Sequence, residues 1–119
     1  MKKTVPLAFL LSLAAGMAPF AANAQMETTT EMLTYCDGTS SGGQANADFC
    51  TGYISGVLDT ARWEGELRED EIFCFPTEGL TVSEAITVVE SYARRNPDEY
   101  AETFLSTFYF AMLEKYPCY

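Results

Sequence analysis

The stretch Asp48-Phe49-Cys50-Thr51-Gly52-Tyr53-Ile54-Ser55-Gly56-Val57-Leu58-Asp59-Thr60-Ala61-Arg62-Trp63 decides the fold class. Phe49, Tyr53 and Val57 recur every four residues, with Cys50, Ile54, Leu58 and Ala61 alongside, which is the spacing of one apolar helix face. Asn46 or Asp48 can cap its start, so a helix running to about Trp63 is predicted. Gly52 and Gly56 lie one turn apart within it. A mid-helix glycine costs about 1 kcal/mol relative to alanine. The pair therefore predicts that another backbone passes close by.

The flanking segments read the same way. Thr28-Thr29-Thr30-Glu31 fits a capping box that opens a short helix ending near Cys36. Asp37 to Gly43 is a Gly/Ser-rich loop by composition. Beyond Trp63 the helical pattern is expected to break, in the acidic run Glu64-Gly65-Glu66-Leu67-Arg68-Glu69-Asp70-Glu71. Thr81-Val82-Ser83-Glu84 is a second capping box, and the helix after it carries Ala85, Ile86, Val89, Tyr92 and Ala93 on one face. Asn96-Pro97-Asp98-Glu99 combines a cap, a first-position proline and two acids at the positive helix end, so a fourth helix is predicted over Pro97 to Lys115. Phe104, Leu105, Phe108, Tyr109, Phe110, Ala111, Met112 and Leu113 nearly encircle it, and such a helix is either central in the core or shared with a second subunit. The expected fold is all-α: a compact four-helix domain stapled by two disulfides.

Composition narrows function. The 119 residues include 7 Lys+Arg, 17 Asp+Glu and no His, for a net charge of −10. That balance argues against nucleic-acid binding, which needs clustered cations. The absence of His removes Ser-His-Asp and Cys-His catalysis and the commonest zinc ligand. At 48% hydrophobic, the chain is expected to fold rather than stay disordered. Lys2 and Lys3, the apolar stretch from Val5 to Ala15 and the small residues Ala22 and Ala24 have the layout of a secretory signal peptide. Cleavage of residues 1–24 would leave one exported domain over 25–119, with no membrane anchor. Taking Lys2 and Lys3 from the 7 basic residues leaves 5 against 17 acidic ones, a net charge of −12. A domain so charged stays soluble, or is steered toward a basic partner.

Cys36, Cys50, Cys74 and Cys118 make an even set in a small exported chain, the usage of structural disulfides. No C-x-x-C spacing supports a metal or redox site, so neither metal nor cofactor is expected. Four cysteines allow three pairings. The layout favours Cys36 with Cys50, closing the Gly/Ser loop, and Cys74 with Cys118, tying the central segment to the C-terminus.

The run Phe49-Cys50-x-Gly52-Tyr53-Ile54-x-Gly56-Val57-x-Asp59, followed by Cys74-x-Pro76, Thr81 and Tyr116-Pro117-Cys118, resembles the Rap/Tai immunity proteins associated with type VI secretion. The resemblance covers about Glu31 to Cys118 and implies a helical, disulfide-bonded periplasmic protein, often dimeric. It also implies a function: binding and inhibiting a peptidoglycan-cleaving amidase delivered by a neighbouring cell. The segment between Cys36 and Cys50 is longer and richer in Gly and Ser than the family pattern. Gly52, Tyr53, Gly56, Asp59, Pro76 and Pro117 read as packing and hydrogen-bonding positions. Asp59 is expected to be partly buried and paired with Arg62 or a backbone donor.

An inhibitor surface needs aromatic or Arg anchors inside a polar rim. Arg62, Trp63 and Arg68 beside Glu64, Glu66, Glu69, Asp70 and Glu71 are the candidates, as a protruding acidic loop that enters an enzyme cleft. The competing reading is a solvated charged turn with Trp63 packed inward. Three functions follow: an amidase-inhibiting immunity protein, a periplasmic chaperone or stress-protection protein without a toxin partner, and a carboxylate-pair glycosidase. The last is the weakest, since acid pairs are abundant here and the chain is small for a sugar cleft. No catalytic residue is assigned.

Overall fold

The computed structural model describes residues 26–119, and the signal-peptide and cleavage assignment lies outside the described residues. Four α-helices form: α1 (Thr29–Cys36), α2 (Gln44–Arg68), α3 (Val82–Arg95) and α4 (Phe104–Lys115), with a 3₁₀ turn over Pro97–Ala101 before the last. No strand is present among the described residues; Thr28 and Thr103 make an isolated antiparallel bridge. α1 packs on α2 and α4, and α3 on α2 and α4. The shared core is built from Met32 of α1, Ile54 and Leu58 of α2, Ala85 and Val89 of α3, and Phe104, Phe108, Ala111 and Met112 of α4.

Both capping boxes form. The Thr28 and Thr81 hydroxyls accept from the N–H groups of Glu31 and Glu84, while those carboxylates accept from the threonine N–H groups. The threonine hydroxyl and N–H beside Glu84 hold its carboxyl below the ordinary value, and Glu31 is lowered likewise by Thr28. Carboxyls lowered by folding stabilise above their unfolded pKa, and that contribution is lost as pH falls through the folded value. Thr81→Ala removes the cap hydroxyl and is expected to cost about 1 kcal/mol near neutral pH, the usual loss for an N-cap threonine. Urea titrations at a series of pH values should show the gap to the wild type narrowing below the carboxylate range.

Two helix boundaries differ from those predicted. α2 starts at Gln44 behind Gly43 (φ 52°), with no side-chain cap from Asn46 or Asp48, and continues beyond Trp63 to Arg68. Glu64, Glu66, Leu67 and Arg68 are good helix formers and carry the helix through Gly65. It stops at Glu69, which takes the left-handed conformation (φ 54°). The fourth helix starts only at Phe104. The Thr29 N–H donates to the Glu102 carbonyl (2.8 Å) and the Phe104 N–H to the Glu27 carbonyl (2.9 Å), groups a continuous helix would pair internally. Asn96 does not cap; its amide donates back to the Tyr92 carbonyl. α4 is central in the core, with Phe110 and Leu113 on its exposed side.

The disulfides are Cys36–Cys50 and Cys74–Cys118, the pairing the layout favours. The Cys74 N–H also donates to the Tyr116 carbonyl (2.8 Å), which clamps the α2–α3 connector to the end of α4. Phe73 on that connector is 2% exposed and packs against Phe75, Phe108 and Tyr109. Thr29 and Thr107 are fully buried and share a hydrogen bond of 2.8 Å, so the one buried polar pair of α1 and α4 is satisfied.

Candidate functional site

Because α2 runs on to Arg68, the residues predicted to form an acidic loop are split between a helix and the turn after it. Trp63 is 60% exposed, so it does not pack inward. Arg62 sets its guanidinium over the Phe75 ring of the connector, 5.0 Å from the ring centre. Glu66 and Arg68 are exposed helical residues, and Glu69, Asp70 and Glu71 are exposed in the turn. Glu71 folds back over Gly65, where a Cβ would lie 2.8 Å from its Cγ, so the turn is laid against the helix end. Glu71 also lies near Cys74 and Cys118, but their sulfurs are bonded to each other and offer no thiolate to a metal.

Of this set, Glu64 lines a concavity. A groove of about 670 Å³ runs between α2 and α4, lined by Tyr53, Gly56, Val57, Thr60 and Glu64 of α2, Leu105 and Tyr109 of α4, and Ile72 of the connector. The heptad spacing of Phe49, Gly56 and Trp63, and of Tyr53, Thr60 and Leu67, puts both series on this side of α2. Phe49, Trp63 and Leu67 are all exposed, Leu67 at 65%. The apolar stripe of α2 is therefore wider than the core needs. Burial, then the charge of Glu64, pushes the Tyr109 phenol above its ordinary pKa, and burial with Glu27 does the same to Tyr53.

The motif positions divide. Tyr53 is half-buried, edge-on to Phe104 with ring centres 5.8 Å apart. The Pro76 carbonyl accepts from the Gly79 N–H, closing the turn before α3, and Pro117 is half-buried beside Cys118. Asp59, in contrast to expectation, is exposed; the one ion pair among the described residues is Arg95 with Glu114. Gly52 and Gly56 also depart from the reading. Both are exposed, and a Cβ on either would meet nothing within 4 Å, so no backbone of this fold passes close to them. Of the pair, Gly56 lines the groove and Gly52 does not, and the facing walls come from distant segments.

A family model described as Rap1a immunity proteins matches residues 28–118. Searches of curated proteins and of solved structures give no match. The matched span begins at the Thr28 cap of α1 and ends at the second disulfide, so it takes in all four helices and both staples. The chain belongs to the Rap1a immunity protein family.

Proposed function

We propose that this protein is a periplasmic immunity protein, not an enzyme, that binds and inhibits a peptidoglycan amidase delivered by type VI secretion. The observation that carries the reading is the family match over residues 28–118, whose members are immunity proteins. Two disulfides fit an oxidising compartment, and with it an exported 25–119 domain. The exposed Trp63, with the carboxylates of Glu64, Glu66, Glu69, Asp70 and Glu71 at the same end of α2, has the composition of an anchor inside a charged rim. Inhibition follows from coverage: a surface seated on the amidase cleft keeps peptide substrate from the catalytic groups without chemistry of its own.

The test is capture of amidase effectors by the oxidised protein, followed by peptidoglycan hydrolysis assays on the captured enzyme. Stoichiometric loss of hydrolysis supports the reading. Protection of unrelated aggregating proteins at acid pH, with no effector bound, would replace it with the chaperone alternative. Trp63→Ala is expected to weaken the complex by about 2 kcal/mol or more while the melting temperature stays unchanged, since the ring contributes little to the core. Calorimetric titration paired with a thermal melt checks both halves of that expectation.

A further inference from the structure

We propose that the groove between α2 and α4 is a docking channel for a basic, apolar segment of the partner, which seats an apolar side chain over Gly56 and sets a Lys or Arg against Glu64. For the partner's identity this rests on the immunity reading. The channel itself is a feature of the fold.

The shape of the groove comes from a residue the fold does not require. Gly56 has ordinary helical backbone, as it is absent from the positive-φ residues, and the space above its Cα is open. Alanine would favour the helix and meet no atom. Glycine instead keeps the floor of the groove low enough for an incoming chain to approach the α2 backbone. Tyr53 and Tyr109 stand on opposite walls and supply aromatic faces, with Val57, Ile72 and Leu105 between them. A volume of about 670 Å³ falls in the range of sites that enclose a ligand group. The exposed Phe49, Trp63 and Leu67 extend the same stripe along α2, so the occupant is a chain segment rather than a small molecule.

Charge selects between occupants. Glu64 is the one ionisable acid or base among the lining residues, tyrosines aside, and no Lys or Arg lines the groove. A cation brought beside Glu64 in this half-buried setting gains attraction and meets no competing cation among the lining residues. A second copy of the chain fits poorly. A two-fold contact through this face would bring two grooves of the same negative sign together, in a chain of net charge −10. The groove is therefore matched to a partner of opposite sign.

The chain's single tryptophan, Trp63, flanks the groove and reports on it. An amphipathic helical peptide of Leu and Lys, titrated into the oxidised protein, is expected to give a saturable shift of its fluorescence, and a Leu/Glu peptide none. Gly56→Met fills the groove without altering charge and should weaken Leu/Lys binding by about tenfold. Thr60→Lys, an exposed helical position, should abolish it by repulsion. Circular dichroism confirms that each variant is folded. Failure of the Leu/Lys peptide to bind, equal binding of the Leu/Glu peptide, or wild-type binding by both variants would overturn the proposal. So would sedimentation showing a wild-type dimer that Gly56→Met converts to a monomer, since a second copy would then cover the groove. An amidase inhibited equally by wild type and Gly56→Met would remove the channel and leave the immunity reading standing. Groove-dependent peptide binding with no amidase inhibited by the wild type would do the reverse.

Discussion

Phe73→Ala is expected to cost about 3–5 kcal/mol, the range for emptying a buried phenylalanine site. Phe73 lies on a connector, yet it is 2% exposed, with ring centres 4.9 Å from Phe75, 6.3 Å from Phe108 and 6.2 Å from Tyr109. Its removal opens a cavity that reaches α4, and neither the clamped connector nor the central helix is free to collapse into it. Small domains have a total stability of about 5–15 kcal/mol, so the variant sits near the edge of folding. Urea denaturation followed by circular dichroism measures the loss. The neighbouring Ile72 is half-exposed on the groove wall, and Ile72→Ala should cost far less. Similar losses from both would mean that Phe73 is not the plug of the core.

The second large effect is loss of the Cys74–Cys118 bridge. Its partners are 44 residues apart, against 14 for Cys36–Cys50. In the chain-entropy model the longer loop is worth about 4 kcal/mol and the shorter about 3 kcal/mol. Cys74→Ser with Cys118→Ser should therefore lower stability more than Cys36→Ser with Cys50→Ser. The local structure adds to the difference, because the Cys74–Cys118 bridge holds the Phe73 connector against the end of α4, where only the Cys74–Tyr116 backbone bond would remain. Together the bridges are worth about as much as a small domain's whole stability. The reduced protein should be largely unfolded, which thermal melts with and without dithiothreitol would show. Equal losses from the two double variants would place the stabilisation in local contacts rather than in loop closure.

These effects bear on function through rigidity. The groove wall contributed by Ile72 and the aromatic platform of Tyr109 are positioned by the same connector that Phe73 plugs and Cys74 ties down. A partner that meets a preformed channel need not spend binding free energy on ordering it. Weakening either support should therefore loosen the channel before the helices separate. Gly56→Met, by contrast, alters the channel and leaves both supports in place.

Local information was sufficient wherever the physics is local. Thr28 with Glu31 and Thr81 with Glu84 fix two helix starts, because a capping box closes within four residues and needs no tertiary partner. The four-residue recurrence of Phe49, Tyr53 and Val57 establishes α2, and the helix count and cysteine layout follow from similar short-range patterns. Where two segments compete for the same backbone groups, local reading failed. Asn96-Pro97-Asp98-Glu99 has every mark of a helix start, but the Glu27 carbonyl takes the Phe104 N–H and the Thr29 N–H takes the Glu102 carbonyl, and α4 begins later.

The candidate site divides along the same line. That Trp63 and its acidic neighbours have the composition of an anchor inside a charged rim is a property of residue type, whereas the close approach expected at Gly52 and Gly56 is made by no backbone of this fold. By itself the sequence determined an all-α, twice-stapled acidic domain of the immunity type. Tertiary structure decided that Trp63 faces outward, that Arg62 lies over Phe75, and that Phe73 leaves its connector to fill the core. It also decided that the approach to Gly56 is left open. Helix starts and disulfide spacing are settled over a few turns of chain, whereas a groove exists only where α2, the connector and α4 meet without filling the space between them.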